Sequence, residues 1–236
     1  MGRTVPVTHK IITYFLRLCF SLRYRVVITG EELLKEQSVK LFLPNHQALI
    51  EPVILISYIF KYSRISPVIT AKYYKKSFFK PVLNLVNAIP VSDLESGERD
   101  RNVYNKLTSK VMLELSKGHH VLFYPSGQLS DQAGEQIHNK QGAYRIVSEL
   151  QEDIKVIGVR ISGFWGSIWS KAGTGKTPDF GNTLLKALGI LAINFFFFAP
   201  KRKVKFEFVD LTQKLKELAL NDRKTFNSYL EEFYTK

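Results

Sequence analysis

A single cysteine, Cys19, stands in the 236 residues, so the sequence holds neither a disulfide framework nor a cysteine-based metal cluster, and a reducing compartment is its simplest setting. No apolar run reaches the roughly 20 residues that cross a bilayer. The longest, ALGILAINFFFFAP, contains Asn194 and gives way to PKRK. Two readings of it stay open: a buried core segment, or a segment sunk shallowly into an anionic lipid surface. Acid is scarce, with 21 Asp and Glu against 34 Lys and Arg and a net charge of +13. That balance calls for an anionic partner, whether nucleic acid, membrane surface or acidic protein. A signal-peptide pattern is missing, because Arg17 interrupts the first apolar stretch and no small-residue cleavage site follows. MGRTVP places Pro6 where a myristoylation site takes Ser or Thr. No linker rich in Pro, Gly or Ser divides the chain, and no internal repeat is found.

What is present suits a folded body: 45% of the residues are hydrophobic, enough for a sizeable core. Ile11, Ile12, Phe15, Leu16, Leu18, Cys19 and Leu22 recur at helical spacing with Lys10, Arg17 and Arg23 around them, which predicts an amphipathic helix at the start. Strands are predicted at YRVVITG, SVKLFLP, SPVITA, HHVLFYP, IKVIGVRISG and KVKFEFVD. Helices are predicted at EPVILISYIF, at RDRNVYNKLTSKVMLELSK up to Gly118, and once or twice between Leu211 and Tyr234. Such alternation argues for a single α/β domain whose largely parallel central sheet is flanked by helices. The expected division is 1–24 for an amphipathic, membrane-associating helix and 25–236 for the α/β domain.

The stretch PNHQALIEP sets His46 and Glu51 between two prolines, at a corner from a buried strand into a buried helix. On a continuous helix, residues five apart lie about 140° apart around the axis and could not meet. If the helix begins at Pro52, a proline-tolerant first-turn position, Glu51 sits at its cap and the loop NHQAL folds the imidazole back onto the carboxylate. An ionised carboxylate, favoured at a helix N-terminus, would fix the tautomer of the ring and raise its basicity. That is a general base with its orienting acid. Taken alone, the pair also fits a loop histidine beside a helix-capping glutamate.

The corner, AIPV some forty residues on, and FYPSGQLS beyond a helix and a strand resemble, in that order, the motifs of the glycerolipid or lysophospholipid acyltransferase superfamily, whose leading motif is N-H-x4-D. The resemblance takes in GEELL, the segment around Lys72 and VIGVRISG, so it spans roughly residues 20 to 210. It implies transfer of a fatty acyl group from acyl carrier protein or acyl coenzyme A to a hydroxyl of a lysophospholipid, at the cytoplasmic face of a membrane, by a peripheral or monotopic enzyme. It implies His46 and Glu51 as catalytic residues, the histidine removing the acceptor proton and the glutamate in the role of the family's aspartate. Asn45, Lys72, Arg99, Arg101, Ser126, Gly127 and Gln128 are the expected substrate-binding residues, Asn45 also turning the loop through side-chain to backbone hydrogen bonds. Amides near Gly127 are candidates for holding the oxyanion. No metal, no cofactor and no nucleic-acid partner are expected. Lys72, Lys75, Lys76 and Lys80 interleave with Tyr73, Tyr74, Phe78 and Phe79, a mixture suited to lipid headgroups and equally to a solvated helix face.

The match has departures. The family's middle motif reads F-P-E-G-T-R-S, whereas YPSGQLS has Ser126 for the glutamate and Leu129 for the arginine. Loss of a bidentate partner for phosphate favours an acceptor with a substituted headgroup over a bare phosphate monoester such as lysophosphatidic acid. Arg99 and Arg101 are candidates for the missing positive charge. Asp93 follows AIPV where an arginine is common, and Gly158 replaces a usual proline. Glu51 is one methylene longer than aspartate.

Other signals carry less. SKAGTGKT resembles a P-loop without its first glycine, but Pro178, Asp179, Phe180 and Gly181 follow and no helical pattern is evident there. His119 and His120 are adjacent at a strand entrance and would point to opposite faces, which disfavours a shared metal; His9 and His138 have no evident partners. Two alternative classes stay open: a basic, aromatic-bearing domain for single-stranded nucleic acid, without RNP-type sequences to support it, and a non-catalytic lipid-binding relative.

Overall fold

The computed structural model describes residues 6–71, 74, 80–91, 101–131 and 134–235. Helix α1 (Val7–Ser21) leads into β1 (Tyr24–Thr29), the short α2 (Glu32–Lys35), β2 (Lys40–Pro44), α3 (Glu51–Ile59), β3 (Ile65–Thr70), α4 (Lys80–Leu85) and β4 (Ile89–Val91). Then come α5 (Arg101–Ser116), β5 (His120–Leu122), α6 (Gly142–Ser148), β6 (Lys155–Ser162), α7 (Phe180–Ile193), β7 (Arg202–Asp210), α8 (Thr212–Ala219) and α9 (Arg223–Thr235). The strands join in one sheet in the order β1-β7-β6-β2-β5-β3-β4. All neighbours pair in parallel except β6 and β7.

Side chains alternate across each strand, and β2 shows how this divides the core. Leu41 and Leu43 point to the layer of Leu107 and Val111 on α5, Ile146 on α6, Leu215 on α8 and Phe226 and Leu230 on α9. Phe42 points to the other layer, with Ile54 and Leu55 on α3, Phe164, Trp169 and the inward residues Val204, Phe206 and Phe208 of β7. Because β2 is buried along its whole length, its sequence reads as a continuous apolar run rather than an alternating one. AIPV forms the edge strand β4, where Pro90 is tolerated because no ladder donor is required of it.

The predicted strands and the α3 and α5 helices are all found, and the C-terminal segment forms two helices. Three elements differ from expectation. The stretch after SKAGTGKT does become helical, one turn later than a P-loop requires: Asp179 caps α7 by accepting a hydrogen bond from the Asn182 amide at 2.9 Å. Thr174–Thr177 are exposed or irregular, so no helix starts at the Lys176-Thr177 pair. Helix α6 went unread because Gly142 opens it; an added Cβ there would lie 2.5 Å from the Phe123 ring, so the glycine admits close contact between the helix and β5. The apolar positions of α1 mostly do not face the core: Thr13 is buried, whereas Ile11, Phe15 and Leu18 are more than half exposed. Arg17 lies over the Tyr58 ring and His9 stacks on Phe60, so α1 rests on the body partly by its polar face.

Candidate active site

Two loops leave neighbouring parallel strands on the same side of the sheet. Leu41 and Phe42 pair with Val121 and Leu122, and the Phe123 amide continues the ladder to the Phe42 carbonyl at 2.9 Å. The loop after β2 therefore runs beside the loop after β5, at the carboxyl ends of the strands where the open sheet's crevice lies.

Asn45 anchors the first loop. Its side-chain oxygen accepts from the Ile161 amide at 2.7 Å and its nitrogen donates to the Ile161 carbonyl at 3.0 Å. The side chain thus prolongs the β2–β6 ladder by one rung. It is 4% exposed, and both polar atoms of the side chain serve the expected turning of the loop. Gln47 ties the loop to its other side, accepting from the Phe164 and Trp165 amides at 3.1 and 3.3 Å.

Between these anchors His46 turns back to Glu51, with Nδ1 to Oε1 at 2.7 Å. Glu51 is the first residue of α3 and Ile50 its N-cap, so the helix begins one residue earlier than Pro52. The second carboxylate oxygen accepts from the Gln47 and Ala48 amides at 2.8 and 2.9 Å. Glu51 thereby satisfies the turn that presents the histidine as well as the histidine itself. It is fully buried, and burial pushes its carboxyl above the ordinary value against the opposing pull of His46 and the Gln47 amide. The imidazole side chain keeps 16% exposure. Its Nδ1–H faces an acceptor, so the basic lone pair is on Nε2.

The second loop grips the histidine backbone. Glu135 Oε2 accepts from the His46 amide at 2.9 Å, and the His46 carbonyl accepts from the Ser130 amide at 2.6 Å. The same buried carboxylate meets the hydroxyls of Ser126 and Ser130. Tyr124 lays its ring 4.3 Å from the imidazole, centroid to centroid. Burial, with Glu51 and Glu135 near, holds the phenol well above its ordinary pKa, so it stays neutral.

Of the residues expected to bind substrate, Ser126 is buried on Glu135 and on the Gln128 carbonyl and belongs to the frame instead. Gly127 and Gln128 are exposed. Gly127 has φ +64°, a turn conformation, and its amide donates to the Tyr124 carbonyl at 3.1 Å. That amide is therefore engaged in the turn, which leaves the neighbouring amides as the candidates for an oxyanion site. Lys72 and Arg99 lie outside the described residues, as does the side chain of Arg101, whose backbone opens α5. Of the basic and aromatic stretch, only Tyr74 and Lys80 are described. His119 turns to Glu114 at 2.8 Å while His120 accepts from the Lys40 amide, so the two rings have different partners.

Glu135 and Ser130 were absent from the sequence reading. A signal did exist: Ser126 removes a carboxylate from the motif, and Glu135 is the nearest glutamate that follows. The bridge between Asp131 and Gly134 lies just before it, beside the site.

Comparison with solved structures finds the 1-acyl-sn-glycerophosphate acyltransferase PlsC of Thermotoga maritima, with a TM-score of 0.56 and 17% identity over 97% of this chain and 80% of that one. The likeness is one of fold. Among curated protein sequences no match is found. The family model described as Acyltransferase matches residues 25–162, more than half of the chain and the part that holds β1 to β6 with both loops. The chain therefore belongs to the Acyltransferase family.

Proposed function

We propose that this acyltransferase moves a fatty acyl group from acyl coenzyme A or acyl carrier protein to a hydroxyl of a lysophospholipid, working peripherally at the cytoplasmic face of a membrane. The observation that carries the reading is the His46–Glu51 pair at 2.7 Å, with the carboxylate fixed by two loop amides. Nε2 of His46 takes the acceptor's proton as its oxygen attacks the thioester carbonyl. The tetrahedral intermediate expels the thiolate, and the imidazolium returns the proton to sulfur. Each proton and electron pair is accounted for by acceptor, imidazole and thiol, so the step calls for no metal or cofactor. Glu51 orients the ring and stabilises its protonated form.

Leu129 is buried at 4% exposure, so the position where the family's arginine is expected contributes packing instead of charge. This supports a lysophospholipid with a substituted headgroup over a phosphate monoester. Purified protein given acyl thioester and a panel of lysolipids is expected to form diacyl product, and His46→Ala to lose about 10² to 10⁴ of that rate. Equal rates in the two proteins would remove His46 from the mechanism. Tight, salt-sensitive binding of single-stranded nucleic acid without acyl transfer would favour the other class of function.

A further inference from the structure

Three exposed features lie on the segments that lead into β1 and β7, strands that pair with each other. The first is the turn after α7. Phe195, Phe197 and Phe198 are each more than 75% exposed and Phe196 is 48% exposed. The helix ends in a Schellman turn, with the Phe196 amide donating to the Leu191 carbonyl at 2.6 Å and the Phe195 amide to that of Ala192 at 3.0 Å. Glycine is usual at the left-handed position of such a turn, yet Phe195 and Phe196 occupy it and the next at φ +47° and +61°. Bulky side chains there are strained, and in water these rings gain no burial in return. The second feature is the outer face of α1, with Ile11, Phe15 and Leu18 in solvent.

The third is charge. Residues 6–25 and 170–203, under a quarter of the chain, hold 10 of the 34 Lys and Arg and one of the 21 Asp and Glu, Asp179. They carry +9 of the net +13. An apolar tip set in so acid-poor a frame is complementary to an anionic bilayer and not to a second copy of the same cationic surface.

The two segments are adjacent. Tyr24 pairs with Arg202 where β1 and β7 begin, and the Arg23 guanidinium donates to the Pro200 carbonyl. Since β7 opposes β6, with Ser162 beside Lys205, it begins at the end where β6 and β2 finish. Arg202 donates to the carbonyls of Gly163 and Trp165 at 2.8 and 2.9 Å. Gln47, next to His46, holds the Phe164 and Trp165 amides of that same turn.

We propose that the Phe195–Phe198 turn and the outer face of α1 form one docking surface for an anionic lipid bilayer, braced through Arg202 against the loop that carries His46. The inference deepens the reading above, naming the side by which a membrane acceptor reaches the site; it rests on that reading only for the acceptor's identity.

Co-sedimentation with vesicles of non-reactive phosphatidylcholine, with and without phosphatidylglycerol, separates the two. The protein is expected to prefer the anionic vesicles, and a Phe195→Ser, Phe197→Ser, Phe198→Ser variant to lose about 10³-fold in partitioning. Phe195→Gly is the sharper variant: relief of the left-handed strain keeps or raises its thermal midpoint while partitioning falls about tenfold. His46→Ala should bind vesicles like the parent, so a failure of the chemistry leaves this result standing. Indifference of the parent to anionic vesicles, or full binding by the triple variant, would overturn the proposal. So would a parent dimer that the variant converts to monomer with vesicle affinity unchanged.

Discussion

Both oxygens of Glu51 are engaged, one with the imidazole and one with two amides of the turn. The longer side chain is thus fitted to this loop, not merely tolerated by it. Glu51→Asp is expected to reach only one of the two sets and to lose about 10²-fold in turnover, the scale of an ångström's misplacement. Glu51→Gln should keep the fold but turn an amide N–H towards Nδ1, forcing the proton to Nε2 and abolishing the base; single-turnover rates should drop by about 10² to 10⁴. The pair also predicts a pH dependence of stability. Burial raises the folded carboxyl above its unfolded value, so the native state binds the extra proton between the two values. Relative to Glu51→Gln, the parent should lose stability as pH climbs from the ordinary carboxylate range through the raised one, as read by denaturant midpoints across pH. Glu135 acts one layer out. Glu135→Ala leaves the His46 amide without its acceptor and the Ser126 and Ser130 hydroxyls with only the Gln128 and His46 carbonyls to donate to, at a cost of about 1–3 kcal/mol and with a fall in kcat. Glu135→Gln retains an acceptor for the amide and should restore most of both; if it is as impaired as the alanine variant, the carboxylate's charge and not its hydrogen bonding matters.

At the scale of elements, the site is a contact between two loops, and its rigidity comes from the strands and helices that carry them. Gly158 sits in the middle of β6, next to β2, and an added Cβ would lie 2.5 Å from Leu211 and 2.8 Å from the Phe233 ring. Where the family usually has proline, this chain uses the vacancy to seat α9. Gly158→Ala should destabilise by about 1–3 kcal/mol through overpacking, and a smaller residue at 233 should recover part of that; additivity of the two changes in urea denaturation would reject the contact. These elements also show how far the sequence could be read. The strands and α3 follow from apolar runs and punctuation, and PNHQALIEP allowed the His46–Glu51 meeting because a helix that starts near Pro52 leaves NHQAL free to fold the imidazole back onto the capping carboxylate. The direction of the Gly127 amide was not legible, since a glycine permits a turn without stating which way its N–H points. Glu135 was legible only indirectly, through the carboxylate that Ser126 removes from the motif: its partners are backbone and serine groups of residues 46, 126 and 130, and no local pattern marks a contact made to a residue 89 positions away. Helix α6 escaped because the glycine that admits it to the sheet is the residue that ordinarily argues against a helix.

For the whole molecule, the uneven charge matters more than its sum. Vesicle binding should weaken steeply as salt is raised, because the attraction acts across the surface and is screened over about 10 Å at 0.1 M. Acyl transfer to a lysolipid dispersed below its aggregation threshold should change far less over the same range. Parallel loss of both would instead place the salt effect on thioester binding. One strand decides this arrangement. With β7 running the other way, a nine-residue strand would deliver its leading turn about 30 Å off, at the opposite pole of the sheet. Reversing it against β6 gives the molecule a front: the greasy tip and the reactive imidazole lie towards the same end of the sheet, so an enzyme held to a lipid surface by that tip would arrive already oriented.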